Sequence, residues 1–301
     1  MMDKDILERM RIPVDKPSDQ EDETSAERIV KILRSKGLER IAEPVLKFRT
    51  EPITENDLPI GSSRMGGSPD LPLGIAWPSR DGRPIDFLLQ LDLAETPRKW
   101  GGDDLPESGW LYFFHDLKQH PWGYDVSHRH GWRVLYYDGD RKTLGRCSRP
   151  DATDPVLRPC RLTFFKGIYV NWPSLQDEKS ESDLLYLNKH EGLSVAQGDV
   201  SGHQILGRTH GCQGMYEDMQ RDCQLASNGI YLGGGGGPVF DEVKAAQVAS
   251  GIKDWRLLLE LSSDENACLE WTAYGTLYFW IREDDLRCSD FHNVWAISQC
   301  T

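Results

Sequence analysis

The sequence predicts an α+β, β-rich fold in which one sheet-forming unit occurs twice, the copies packing into one pseudo-symmetric body with an N-terminal helical segment. Three observations carry this expectation. Five apolar blocks recur in the same order in both halves of the chain. Ten Trp, ten Tyr and nine Phe among 301 residues weight the core toward strands and aromatic packing. From Pro44 onward, apolar residues come in short runs and alternations rather than at helical spacing.

Residues 1–23 are polar and acidic, with Pro13 and Pro17 interrupting any helix, and are read as a flexible arm. The remainder, 24–301, is read as a single domain of two repeats. Thr24 followed by Glu27 has capping-box spacing, Ile29, Ile32 and Leu33 form an apolar stripe, and Gly37 suits a C′ position, which predicts a helix over 25–36. A shorter helical piece over 38–43 ends at Pro44.

The repeats are expected over about 44–147 and 157–300, joined by Ser148 to Pro159. Val45-Leu46-Lys47-Phe48-Arg49 is echoed by Arg161-Leu162-Thr163-Phe164-Phe165, and Ser62 to Gly67 by Gly202 to Gly207. Phe87 to Asp92 is answered by Leu257 to Ser262. The clearest pair sets Gly109-Trp110-Leu111-Tyr112-Phe113-Phe114 against Gly275-Thr276-Leu277-Tyr278-Phe279-Trp280. Last, Trp132 to Tyr136 corresponds to His292 to Ala296. Apolar strands look alike, but five pairs in register order point to a tandem duplication. Strict alternation puts Phe87, Leu89, Leu91 and Leu93 on one strand face and Leu88, Gln90 and Asp92 on the other; its copy divides likewise, with Leu257, Leu259 and Leu261 opposite Leu258, Glu260 and Ser262. The insert over 174–255 holds two loop-like stretches, Gln176 to Asp183 and Gly233 to Gly237.

Asp and Glu outnumber Lys and Arg 48 to 35, a formal charge of −13. Without a basic run, that balance opposes direct nucleic-acid binding and favours a basic protein partner. Seven scattered cysteines lack C-x-x-C spacing, which speaks against a disulfide framework or zinc ribbon. The start, Met1-Met2-Asp3-Lys4-Asp5-Ile6-Leu7, lacks the apolar core of a secretory signal, and no window matches a membrane span, so a cytoplasmic location is expected.

Several stretches resemble the YwqG-like family of uncharacterised proteins: Ser63-Arg64-Met65-Gly66-Gly67-Ser68-Pro69, Trp77-Pro78, Phe87 to Leu91, Leu105 to Phe114, His203 to Gly207, Gln213-Gly214-Met215 with Cys223 downstream, Trp255 to Leu259, and Tyr274 to Leu286. The chain departs from the family at Glu260, where Gln is usual, and at Thr272-Ala273-Tyr274. The resemblance implies a duplicated, sheet-dominated fold with no established activity. Its remote similarity to programmed-cell-death-2-like proteins, and the toxin-immunity settings of some bacterial members, imply that such proteins hold a protein partner.

The binding candidates are Arg64, Trp77, Gln90, Asp92, Gln213 and Glu260; no catalytic residue, metal or cofactor is assigned. Gln90, Asp92 and Glu260 are expected to line a groove where the halves meet, or else a solvated sheet face. An Asp paired with a Glu there would be the raw material of hydrolysis. Gly66-Gly67-Ser68-Pro69 and the Gly233 run could cradle an anion, but neither ends in Gly-Lys-Ser/Thr, and Pro69 and Pro238 remove donors. His128 with His130, and His203 with His210 and Cys212, are weighed as zinc ligands and read as ordinary histidines. Cys223 and the two Trp-Pro pairs are read as core anchors. The leading expectation is a non-enzymatic protein-binding module, immunity-like or chaperone-like. The alternatives are a small-molecule hydrolase using carboxylates between the halves and an RNA- or ribosome-associated factor.

Overall fold

The antiparallel pair at the centre of the molecule joins distant parts of the chain: Ala42–Pro52 runs against Cys160–Val170 over eleven residues in unbroken register. The computed structural model describes residues 19–151, 157–171, 182, 203–233, 241–271 and 275–300. In chain order its strands are β1 (Ala42–Pro52), β2 (Arg64–Met65), β3 (Asp70–Pro72), β4 (Ser79–Arg80), β5 (Arg83–Pro84), β6 (Asp86–Asp92), β7 (Trp110–His115), β8 (Trp132–Tyr137), β9 (Leu144–Arg146), β10 (Cys160–Val170), β11 (His203–Ile205), β12 (Trp255–Ser262), β13 (Thr276–Arg282) and β14 (Trp295–Gln299). The helices are α1 (Asp19–Ser35), α2 (Tyr216–Ser227), α3 (Glu242–Val248) and α4 (Glu283–Arg287). Trp172-Pro173, the acidic stretch from Gln176 apart from Ser182, the glycines 234–237, residues 152–156 of the connector and Thr272 to Tyr274 lie outside the described residues.

Ten strands make one sheet, ordered β14-β13-β12-β11-β1-β10-β2-β6-β7-β8. Outward from the central pair, β11 to β14 follow β1 on one side, while β2, β6, β7 and β8 follow β10 on the other. The first strand of each half is thus built into the other half's row. The sheet curls nearly into a barrel, because residues far apart along it touch across the interior. Phe113 of β7 meets Phe279 of β13 with ring centroids 5.2 Å apart, and Trp132 of β8 meets Trp295 of β14 at 5.1 Å. Leu46, Met65, Leu89, Leu91, Leu111, Ile205, Leu259, Leu261 and Leu277 fill this interior, all but free of solvent. Where the end strands approach, Trp132 Nε1 donates to Val294 O and the Ser298 amide to Trp122 O.

Each half of the outer face has its own cover. On the first, Leu71, Ile85 and Leu144, from the loops and short strands β3, β5 and β9, pack on Phe87, Trp110, Tyr112 and Phe114. On the second, Tyr216, Met219 and Cys223 of α2 pack with Trp255 and Trp280. Cys223 is the core residue expected, its thiol raised far above the ordinary range by burial.

Helix α1 begins at Asp19, earlier than the capping-box spacing indicates, since the acids of 19–23 are favoured in the first turns of a helix by its dipole. Its end matches expectation. Gly37 takes φ +69°, and the amides of Gly37 and Leu38 return to Arg34 O and Leu33 O, closing the last turn as only a residue free to adopt positive φ does cheaply. Ala26 and Leu33 settle on Ile168 and Val170 of β10.

Strict alternation misassigns one residue in each long strand. The β6–β7 register slips between Phe87 and Leu89, and the β12–β13 register between Leu257 and Leu259. A bulge adds one residue to one strand and reverses the faces beyond it. Phe87 therefore joins the outer-face cluster with Tyr112 and Phe114, and Leu257 lies opposite Trp280.

Replacing Phe113 with Ala removes the aromatic contact that holds the two sheet ends together and should lower unfolding free energy by about 3–5 kcal/mol in urea denaturation. A loss under about 1 kcal/mol would mean that the curled interior is not closed through this contact.

Candidate functional site

Paired strands carry side chains on a common face wherever residues stand opposite, so the register produces polar rungs across the outer face. In the first half, Arg64 of β2 stands opposite Gln90 of β6, which stands opposite Tyr112 of β7. In the second, Lys47 of β1, Gln204 of β11, Glu260 of β12 and Tyr278 of β13 form the corresponding row.

The first rung is sealed. Gln90 is fully buried; its Oε1 accepts from the Asp70 amide at 2.7 Å and its Nε2 donates to Ser62 O at 2.9 Å. The Asp70 carboxylate accepts from Arg146 Nε at 2.6 Å and from the Gly61 amide at 2.8 Å, while Tyr112 donates its hydroxyl to Asp70 O at 2.7 Å. Burial, then the nearby Asp70 charge, push the Tyr112 phenol well above its usual range. Arg64 Nη1 reaches Glu55 Oε1 at 2.5 Å and also donates to Ser68 O, and Arg146 bridges Glu55 to Asp70. Asp92, also buried, takes the Arg141 guanidinium on one oxygen and the Ala94 amide on the other. Gln90 and Asp92 therefore line neither an open groove nor a solvated face: the segment from Glu55 to Pro72 and the strand at Arg146 cover them. The glycine pair is likewise committed. The amides of Gly66 and Gly67 donate to Leu88 O and Leu157 O, and the Ser68 amide to Glu55, so these donors do not face an anion.

The second rung is partly open. Lys47 and Gln204 are nearly buried, Glu260 only half so, and Cys212 and His210 are half-buried beside it. Thr209 Oγ1 donates to Glu260 Oε2 at 2.6 Å, and Gln204 Nε2 ties down the carbonyls of Leu206 and Arg208. Burial raises the Glu260 carboxyl above its usual range, with Lys47, Thr209 and His203 pulling it back only in part. Cys212 Sγ lies 3.6 Å from the Tyr278 hydroxyl. His210 stacks on Tyr169 at 4.4 Å, and burial, then the Lys47 and Arg208 charges, push its imidazole down to about 4. The arrangement holds one proton-labile carboxyl, a lysine and a thiol along a partly exposed row.

Five strand spacings separate β6 from β12, about 24 Å along the sheet, and their polar side chains diverge on its convex face. Asp92 and Glu260 are thus not brought together as a hydrolytic pair would be. Trp77 anchors the β4–β5 hairpin, donating Nε1 to Ile85 O at 2.8 Å with its ring edge-on to Phe114. Gln213 is exposed on the turn into α2, away from the first rung. His128 and His130 lie on a short 3-10 turn rather than a strand, and His128 Nδ1 accepts the Gly123 amide.

Sequence reasoning missed a second buried constellation. Asp264 Oδ2 accepts from Thr50 Oγ1 at 2.6 Å and meets His203 Nε2 at 3.0 Å; His203 Nδ1 accepts the Ser262 amide at 3.2 Å. An amide can only donate, so Nδ1 carries no proton and the ring presents Nε2–H to Asp264. Burial acts to raise the Asp264 carboxyl, but the hydrogen bonds from His203, Thr50 and the Ala267 amide outweigh it and hold the carboxyl low. Both ring nitrogens are committed, and the Thr50–Asp264 bond that His203 braces ties β1 to the second half. Asp264 lies between the blocks Leu257 to Ser262 and Gly275 to Trp280, outside every stretch that the sequence comparison picks out.

The geometry defines a class: a curled antiparallel sheet whose polar rungs are braced by loops of the same chain. Residues 63–300 match the family model described as Domain of unknown function (DUF1963), and the chain belongs to that family. No curated protein matches it. Among the described residues no helix is long and apolar enough to cross a membrane.

Asp70→Ala should cost about 1–3 kcal/mol, since it leaves Arg146 Nε and the Gly61 amide without their acceptor in a covered site; urea unfolding measures it. For Glu260→Gln the test is pH. A carboxyl raised in the folded state binds protons that the unfolded chain has already lost, so the native protein loses stability as pH climbs through the raised value, and the Gln variant does not. The stability of Glu260→Gln relative to the natural protein should therefore increase from acidic to neutral pH. A difference independent of pH would show that the carboxyl is not raised.

Proposed function

We propose that this DUF1963 protein is a YwqG-like, internally duplicated module of the cytoplasm that binds a basic protein partner and performs no chemistry of its own. The charge distribution carries the reading. Most of the sequence-predicted polar residues support the fold: Arg64, Gln90 and Asp92 are sealed in internal hydrogen bonds. Internal pairs such as Arg149 with Asp86 and Arg83 with Asp116 consume cation and anion alike, so the excess of 48 acids over 35 bases is left to the exterior. Such a surface attracts basic partners and speeds their encounter. The resemblance to families that hold protein partners points the same way, toward an immunity-like or chaperone-like role.

Supporting the duplication are matched bulges at Leu88 and Leu258, whose carbonyls accept the amides of Gly66 and Leu206. Gly66 and Gly67, like Leu206 and Gly207, have positive φ in succession. The Asp92 amide donates to Ser63 as the Ser262 amide does to His203. Because β11 meets β1 at Lys47 while β2 meets β10 at Arg161, the first blocks align as Lys47 with Arg161, two residues from the Lys47 to Thr163 match that apolar pattern suggests.

The test is co-purification with the full chain as bait over a series of salt concentrations. The expected result is a specific partner of high isoelectric point, whose association slows as salt rises. Recovery of no partner, or of acidic ones whose binding ignores salt, would defeat the proposal.

A further inference from the structure

We infer that the recess between the two edge strands, at the open side of the curled sheet, binds an oxyanion: the carboxylate or phosphate ester group of a small molecule with an apolar or aromatic body. The recess, about 70 Å³, lies between β8 and the turn leading into β14. Val134, Phe291 and Val294, all nearly buried, lie at its base, and Arg129, His130, Arg133 and His292 stand around it.

The rim carries cationic charge that no carboxylate pairs with directly. Arg64, Arg146 and Arg149, by contrast, are matched to Glu55, Asp70 and Asp86. Arg133, half-buried, makes no hydrogen bond or ion pair among the described residues, and neither does His130. Arg129 donates to Asn293 Oδ1 at 2.8 Å, a neutral amide that steadies the guanidinium without cancelling its charge. Two acids lie beside this rim: Asp290, engaged by the His292 ring at 2.8 Å, and Asp285, hydrogen-bonded to the Asn293 side chain.

The chemistry selects the ligand. A guanidinium offers N–H donors in a fixed fork that matches two oxygens of a carboxylate or phosphate. The apolar side chains packed beneath it strengthen that attraction relative to open water and leave a small apolar surface beside it. The acidic exterior repels free anions at long range, so any affinity has to arise from contacts inside the recess. This inference is independent of the partner-binding reading and survives its failure.

The experiment titrates the full chain with phenyl phosphate, benzoate and inorganic phosphate, followed by calorimetry. Saturable binding of phenyl phosphate or benzoate, tighter than inorganic phosphate, is expected, and the tighter of the two identifies the source as phosphate ester or carboxylate. Arg133→Gln should weaken it by about tenfold or more, the loss expected for a charge-assisted hydrogen-bonded pair. Arg133→Lys, which keeps charge but loses the fork, should fall between. Unchanged unfolding midpoints check that both variants fold. No saturation with any probe, or equal affinity in Arg133→Gln, would overturn the inference.

Discussion

The eleven-residue pairing of β1 with β10 is the constraint on which the remaining structure depends. It puts the two segments side by side although more than a hundred residues separate them, and each then offers its free edge to strands of the opposite half. β1 receives β11, and β10 receives β2. Neither row can be completed without the other, so the sheet is continuous through its centre rather than assembled from two finished pieces. Its curl follows from the twist natural to strands carried across ten of them, and the aromatic contacts between β7 and β13 fix how far it goes.

That continuity explains why one face is dry throughout and the other is not. Inward residues meet one another across the curled interior and need only be apolar. Outward residues depend on whatever covers them. Over the first half, Glu55 to Pro72 satisfies Gln90, Tyr112 and Arg64 Nη1, leaving Arg64 Nε and Nη2 unpaired, whereas the Lys47–Gln204–Glu260–Tyr278 rung stays partly accessible beside Cys212. A buried polar group without a partner costs far more than a paired one gains, so the cover and the rung beneath it are tied to one another.

Much of this was legible from residues alone. The glycine that ends α1, the strand blocks and their order, the burial of Cys223 and the anchoring role of Trp77 all follow from periodicity and turn chemistry. The faces of Phe87 and Leu257 do not, because a bulge leaves no mark in an unbroken run of leucines. The fate of Gln90 and Asp92 was hidden for another reason: a polar residue on a strand looks the same whether water or a folded-back loop meets it. The Thr50–His203–Asp264 clamp unites three positions more than two hundred residues apart at their extremes, and no local spacing encodes such a meeting.

The placement of β1 has a consequence for the order in which the chain can mature. Its only neighbours in the sheet are β10 and β11, so as the polypeptide leaves the ribosome this early segment has nothing to zip against until residue 160 and beyond have emerged. For that interval a long strand carrying Val45, Leu46 and Phe48 stands with both margins bare, the condition in which nascent chains call on chaperones. Cutting the molecule at its midpoint would leave that vulnerability permanent rather than releasing two smaller proteins.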